Sequence, residues 1–137
     1  KNIMSGITIV WIVSVLQILI ALGLINVWLL RSGHASKYRG AGAKNMKEEF
    51  SAYGLPVWFM YVIGFFKIVI ALVMLLTLFI PPLMYPIGFP ALILLSVLML
   101  GAISMHIKVK DPLVKALPAV SMLVMALTIL YLVNFFG

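Results

Sequence analysis

Four long apolar stretches, none interrupted by an acidic residue, leave this chain of 137 residues few ways to fold. Each is long enough to cross a hydrocarbon layer of about 30 Å, which takes about 20 helical residues. A soluble domain would need about 25% charged residues to cover its surface, whereas here 9% are charged and 65% hydrophobic, with a mean hydropathy of +1.24. The reading is therefore an all-α fold: an integral membrane four-helix transmembrane bundle, one domain over residues 1–137, with the lipid bilayer as its first partner. Its helices are expected at about 3–30, 57–80, 87–107 and 113–136.

The punctuation supports these bounds. Ile3 to Leu30 is much longer than the roughly 7 to 15 apolar residues of a signal-peptide core, and Arg31 closes it without a small-residue cleavage pattern, so it reads as a retained span. Gly54-Leu55-Pro56 breaks the chain before the second stretch, and Pro81-Pro82 ends it because proline has no N–H to donate. The third stretch ends in His106, Lys108 and Lys110, cations that suit a helix C-terminus. Asp111-Pro112 reads as an N-cap followed by proline at the first helical position, with Leu113 to Leu117 as a lead-in turn to the fourth span. In the first loop Ala43, Met46, Phe50 and Tyr53 recur at helical spacing, while Lys44, Lys47, Glu48 and Glu49 fall mostly on the other side. A short amphipathic helix at about 43–52, lying at the membrane interface, follows from that pattern.

The charge is +7, and its distribution indicates topology, not a nucleic-acid partner. Arg31, Lys37, Arg39, Lys44 and Lys47 lie in the first loop and Lys108, Lys110 and Lys115 in the third, against Lys1 alone on the opposite face. The positive-inside bias places loops 31–56 and 108–115 in the cytoplasm and both termini outside, a multi-pass arrangement.

Chemistry has little to work with. Cysteine is absent, which removes disulfides and thiolate sites. No Asp or Glu lies inside an apolar stretch, so a carboxylate proton relay is missing from the spans. His34, His106 and Arg31 belong to the cytoplasmic edge. Two histidines on one side cannot sandwich a mid-membrane haem, and no metal site is expected. A Ser-His-Asp arrangement would need Ser104, His106 and Asp111, and nothing marks a nucleophile elbow. Arg39-Gly40-Ala41-Gly42-Ala43 lacks the Lys-Ser/Thr of a phosphate-binding loop. No catalytic residue is assigned, and the balance is against an enzyme acting on its own.

Lys67 is the informative residue. It lies ten positions into its helix, about 15 Å along the axis, where a charge costs about 2.5 to 3.5 kcal/mol on the insertion scale. The 16 Leu, Ile, Val and Phe residues of the stretch return roughly 5 to 10 kcal/mol at about 0.3 to 0.6 each, so the helix still inserts. Gly64 and Ala71 share its face, which marks the side where helices approach closely. Gln17, Ser96 and Ser121 fall at similar depth in the other helices, and with Lys67 they make a candidate ligand-binding polar layer. A hydrogen-bond network that fixes helix register is the structural alternative.

Taken in order, Trp28 and Arg31, Lys37, Met46, Phe50, Tyr53-Gly54-Leu55-Pro56, Gly64-x-x-Lys67-x-x-x-Ala71 and a third span ending in His106 resemble the DoxX-like family of small four-helix membrane proteins. The resemblance runs from the first span to the fourth. It implies association with membrane redox systems, quinones or receptor assembly. Many relatives carry Glu near the place of Lys67, so the family's proton or quinone chemistry does not carry over directly to this site.

Two functions stand open. One is a non-catalytic accessory subunit or assembly factor of a larger membrane complex, a redox-linked one included, with other membrane subunits or further copies of the chain as partners. The other is a protein binding quinone, lipid or another small ligand through Lys67, with no cofactor otherwise expected. A transporter component comes third.

Overall fold

The computed structural model describes residues 3–30, 33 and 38–136. Arg31, His34 and Lys37, which the sequence places at one membrane edge, lie outside the described residues. The elements are α1 (Ile3–Ile25), continued by a π-helical turn at Asn26–Leu30, then α2 (Met46–Ala52), α3 (Val57–Phe79), α4 (Gly88–Lys108) and α5 (Leu117–Phe136). Single 3₁₀ turns lie at Gly40–Gly42, Pro81–Met84 and Leu113–Ala116.

Four of these helices are long and apolar enough to cross a membrane. They pack in a ring, α1 on α3, α3 on α4, α4 on α5 and α5 back on α1. Because the helices are apolar nearly all round, burial does not separate apolar from polar faces as it does in water. It separates close packing from lipid contact. Ile20, Ala21, Ala71, Leu92, Leu95 and Ala126 are fully buried at the centre, while Trp11, Trp58, Leu72 and Val97 are more than half exposed on the outside. With lipid tails as apolar as leucine, the ring is held by van der Waals fit, and small residues set how closely backbones approach. Gly64 shows the constraint, since a Cβ there would come within 2.6 Å of Trp28 Cε3.

Local sequence accounts for the helix ends. Asn45 caps α2 by accepting from Glu48 N at 2.8 Å, and the Glu48 carboxylate accepts from Lys44 N at 3.3 Å, one residue before the cap. Gly54 sits at φ 80°, with Leu55 N bonded to Phe50 O and Gly54 N to Ser51 O. This is a Schellman end. α4 ends the same way, with Lys110 instead of glycine at φ 58°, Asp111 N bonded to His106 O and Lys110 N to Ile107 O. Asp111 is therefore not the N-cap the sequence suggested: Pro112 precedes the 3₁₀ turn, and the carboxylate is turned back toward α4 and the first loop.

The predicted helix at 43–52 forms over Met46–Ala52, and all four residues of its expected apolar face are buried. Met46 and Phe50 pack with Met60 of α3 and against Trp28, Leu55, Phe59 and Ile63. α2 is thus folded onto the end of the bundle. Glu49 departs from the expected outward face, because its carboxylate is drawn inward by Arg39.

Candidate functional site

The candidate layer of Lys67, Gln17, Ser96 and Ser121 does not assemble. Gln17 Nε2 donates to Thr77 Oγ1 at 2.8 Å and to Met74 O at 3.2 Å. Thr77 lies ten residues beyond Lys67, about 15 Å along α3, so Gln17 and Lys67 occupy different levels. Ser96 is buried and returns its hydroxyl to Leu92 O at 2.9 Å within its own helix. Ser121 is exposed on the outside of α5. The physical reason is register: α1 ends at the level of Gly64, deeper than the start of α3, so depths counted from each stretch's own end do not coincide. The buried polar contact at that other level is Gln17 with Thr77, which lies near the C-terminal end of α3, a pairing set by how α1 and α3 are placed against each other.

Lys67 turns the other way. Cα–Cβ bonds lean toward a helix N-terminus, which for α3 is the end covered by α2. Its ammonium lies over the Trp28 ring, 4.9 Å from the centroid, a cation–π contact. Glu49 is the carboxylate whose field reaches it. From Trp28 the rings continue edge to face to Phe50 at 6.1 Å, on to Tyr53 at 6.2 Å, and from Tyr53 to His106 at 6.0 Å.

Around Tyr53 lies a charged cluster that joins segments far apart in sequence. Glu49 accepts from Gly40 N at 3.0 Å and from the Tyr53 hydroxyl at 3.2 Å, and pairs with Arg39 Nη1 at 3.5 Å. Asp111 accepts from Ala41 N at 3.0 Å and lies 2.8 Å from His106 Nδ1. Since a carboxylate only accepts, the Nδ1 proton belongs to the imidazole. Lys115 Nζ donates to Arg39 O at 2.7 Å, and Lys108 Nζ to Tyr53 O at 2.8 Å. Gly40 fits because a Cβ there would overlap the Tyr53 hydroxyl.

The backbone at Gly40–Gly42 thus points consecutive N–H groups at carboxylates, helped by left-handed Ala41 (φ 54°) and Gly42 (φ 71°). Such a concavity is of the kind that binds anions. Here two of the chain's own carboxylates occupy it, which explains physically why the glycine-rich segment is no phosphate loop.

Electrostatics follow the packing. Burial, then the Glu49 charge and hydrogen bond, hold the Tyr53 phenol well above its usual range. Burial alone would raise Asp111, but the hydrogen bonds from His106 and Ala41 N, with the charges of His106 and Lys115, outweigh it and hold the carboxyl below its usual value.

Among the described residues no group of His, Cys, Asp or Glu has metal-site geometry, and no fully buried side-chain polar atom lacks a partner. His106 and Asp111 do meet, as the triad arrangement would require. Ser104 does not join them, since it is exposed and bonded to Leu100 O. His106 and Asp111 meet because the turn that ends α4 carries residue 111 back over residue 106, and Arg39 meets Glu49 because the turn at Gly40–Gly42 folds the first loop back onto α2; neither contact follows from helical spacing.

Neither the comparison with curated proteins nor that with solved structures finds a match. A family model does match, over residues 20–129, from within α1 to the middle of α5. That span takes in α2, Lys67 and the whole charged cluster, and on it the chain belongs to the DoxX-like family.

Proposed function

We propose that this DoxX-like membrane protein works as a non-catalytic subunit or assembly factor of a larger membrane complex. The observation that carries the reading is the internal closure of the charged cluster. Glu49 and Asp111 are both committed to bonds that pin the first loop to α2 and to the end of α4. Carboxylates spent in this way act as structure, forming a cap on one end of the bundle. Exposed apolar faces on every long helix, such as Trp11, Leu72, Val97 and Val124, give partner helices surfaces to pack on. We place the capped end in the cytoplasm on the positive-inside bias.

A second reading rests on Lys67. Its cation over Trp28, at the head of a chain of rings leading to His106, suits a carbonyl or anionic headgroup such as a quinone or lipid. Native membrane extraction followed by mass spectrometry, on wild type and Lys67→Met, tests both. The subunit reading expects stoichiometric co-purifying membrane proteins in both samples. The ligand reading expects a small molecule present in the wild type and absent from Lys67→Met. A wild-type chain recovered only by itself, without protein partners, overturns the subunit reading.

A further inference from the structure

We infer that the rim formed by Lys44, Lys47 and Lys110 is a docking surface for anionic phospholipid headgroups. Ala41 N bonds Asp111, which brings the loop carrying Lys44 and Lys47 beside the end of α4 carrying Lys110. All three lysines are exposed. Two of the chain's three acidic residues, Glu49 and Asp111, face inward onto Arg39, Gly40, Tyr53, Ala41 and His106. Glu48 alone stays at the rim, where it completes the α2 cap. The cluster therefore consumes negative charge on its inside and leaves a positive rim outside.

The neighbouring surface selects lipid over a soluble acidic partner. Ile107 is 71% exposed and Leu113 81% exposed, on either side of Lys108 and Lys110 in the chain. Large apolar side chains beside lysines at the end of two spans match the boundary between acyl chains and headgroups, where apolar groups insert and amines meet phosphate. The inference is independent of whether the chain is a subunit or binds a ligand at Lys67.

The test is reconstitution of the full chain into nanodiscs of equimolar phosphatidylcholine and phosphatidylglycerol, with retained lipids read by native mass spectrometry. Wild type should retain phosphatidylglycerol preferentially, and the preference should shrink by about fivefold for each lysine removed in Lys44→Gln, Lys47→Gln and Lys110→Asn. Asparagine suits the left-handed backbone at Lys110. Equal retention of both lipids by wild type, or an undiminished preference in a folded triple variant, overturns the proposal. Should the triple variant not fold, salt decides on wild type alone: the preference should fall between about 0.05 M and about 0.5 M salt, and a constant preference rejects it. Binding of a polyglutamate peptide without any lipid preference would assign the rim to an acidic protein and overturn the lipid reading.

Discussion

Replacing Glu49 with Gln removes one charge and almost no volume at the centre of the capped end. Three contacts change together. The Arg39 guanidinium, 7% exposed in its side chain, loses its carboxylate at 3.5 Å, and with Gly40 N kept on the one amide oxygen the Tyr53 hydroxyl must turn from donor to acceptor of the amide NH2. Leaving one member of a fully buried pair uncompensated costs about 3 to 5 kcal/mol, and a hydrogen bond to a charged group is worth about 1.5 to 3 kcal/mol. Gln keeps one acceptor and Arg39 can swing partly toward water, so the net loss should be about 2 to 3 kcal/mol. Unfolding of the purified protein in mild detergent, followed by circular dichroism and tryptophan fluorescence, measures it. A double-mutant cycle with Arg39→Gln sharpens the result: removing both charges should cost at least 1 kcal/mol less than the sum of the single changes. A Glu49→Gln protein within about 0.5 kcal/mol of wild type, or an additive cycle, would refute the claim that this pair holds the first loop in place.

Other changes probe separate parts of the structure. Gly64→Ala should destabilise by about 1 to 3 kcal/mol, because the new methyl meets Trp28. Gly101→Ala, with nothing within 4 Å, should gain up to about 1 kcal/mol from helix propensity, and thermal midpoints that rank the two variants the other way would contradict the packing at Trp28. Because the Tyr53 phenol is held above its usual value of about 10, the native state keeps its proton longer than the unfolded chain. Stability should therefore be intact below about pH 10 and fall as pH rises further, by up to about 1.4 kcal/mol per pH unit, and Tyr53→Phe should flatten that alkaline limb. Asp111 has the opposite sign: its lowered value gives stability that is full above about pH 4 and lost as pH falls through the native value. Asp111→Asn should remove that part of the acid dependence in a pH titration of the unfolding midpoint. Finally, in this cysteine-free chain, Tyr85→Cys should react with an impermeant thiol reagent on intact cells and Lys44→Cys should not; the reverse labelling would invert the topology.

Helix number, helix bounds and the short amphipathic helix were all legible in the sequence, because lipid imposes a one-dimensional rule. Any span must satisfy its own backbone and stay apolar for about 20 residues, so the run from Val57 to Phe79 declares itself without reference to neighbours. Caps were read less well: Gly54-Leu55-Pro56 does separate α2 from α3, but Asp111 does not cap the turn before α5, and the Asn45 cap of α2 emerged only in the structure. Even the packing side of α3 was visible, since Gly64 and Ala71 mark where another backbone comes close. Relative depth was not legible. Only the tertiary structure sets α1 against α3 so that Trp28 meets Gly64 and Lys67 while Gln17 meets Thr77, and a shift of a few residues separates groups that appeared level. The fate of the acidic residues was hidden for a related reason. Glu49 and Asp111 each read as ordinary surface or capping groups until the first loop folds under the bundle, where contacts 70 residues apart in sequence, such as Ala41 to Asp111, decide what each carboxylate binds.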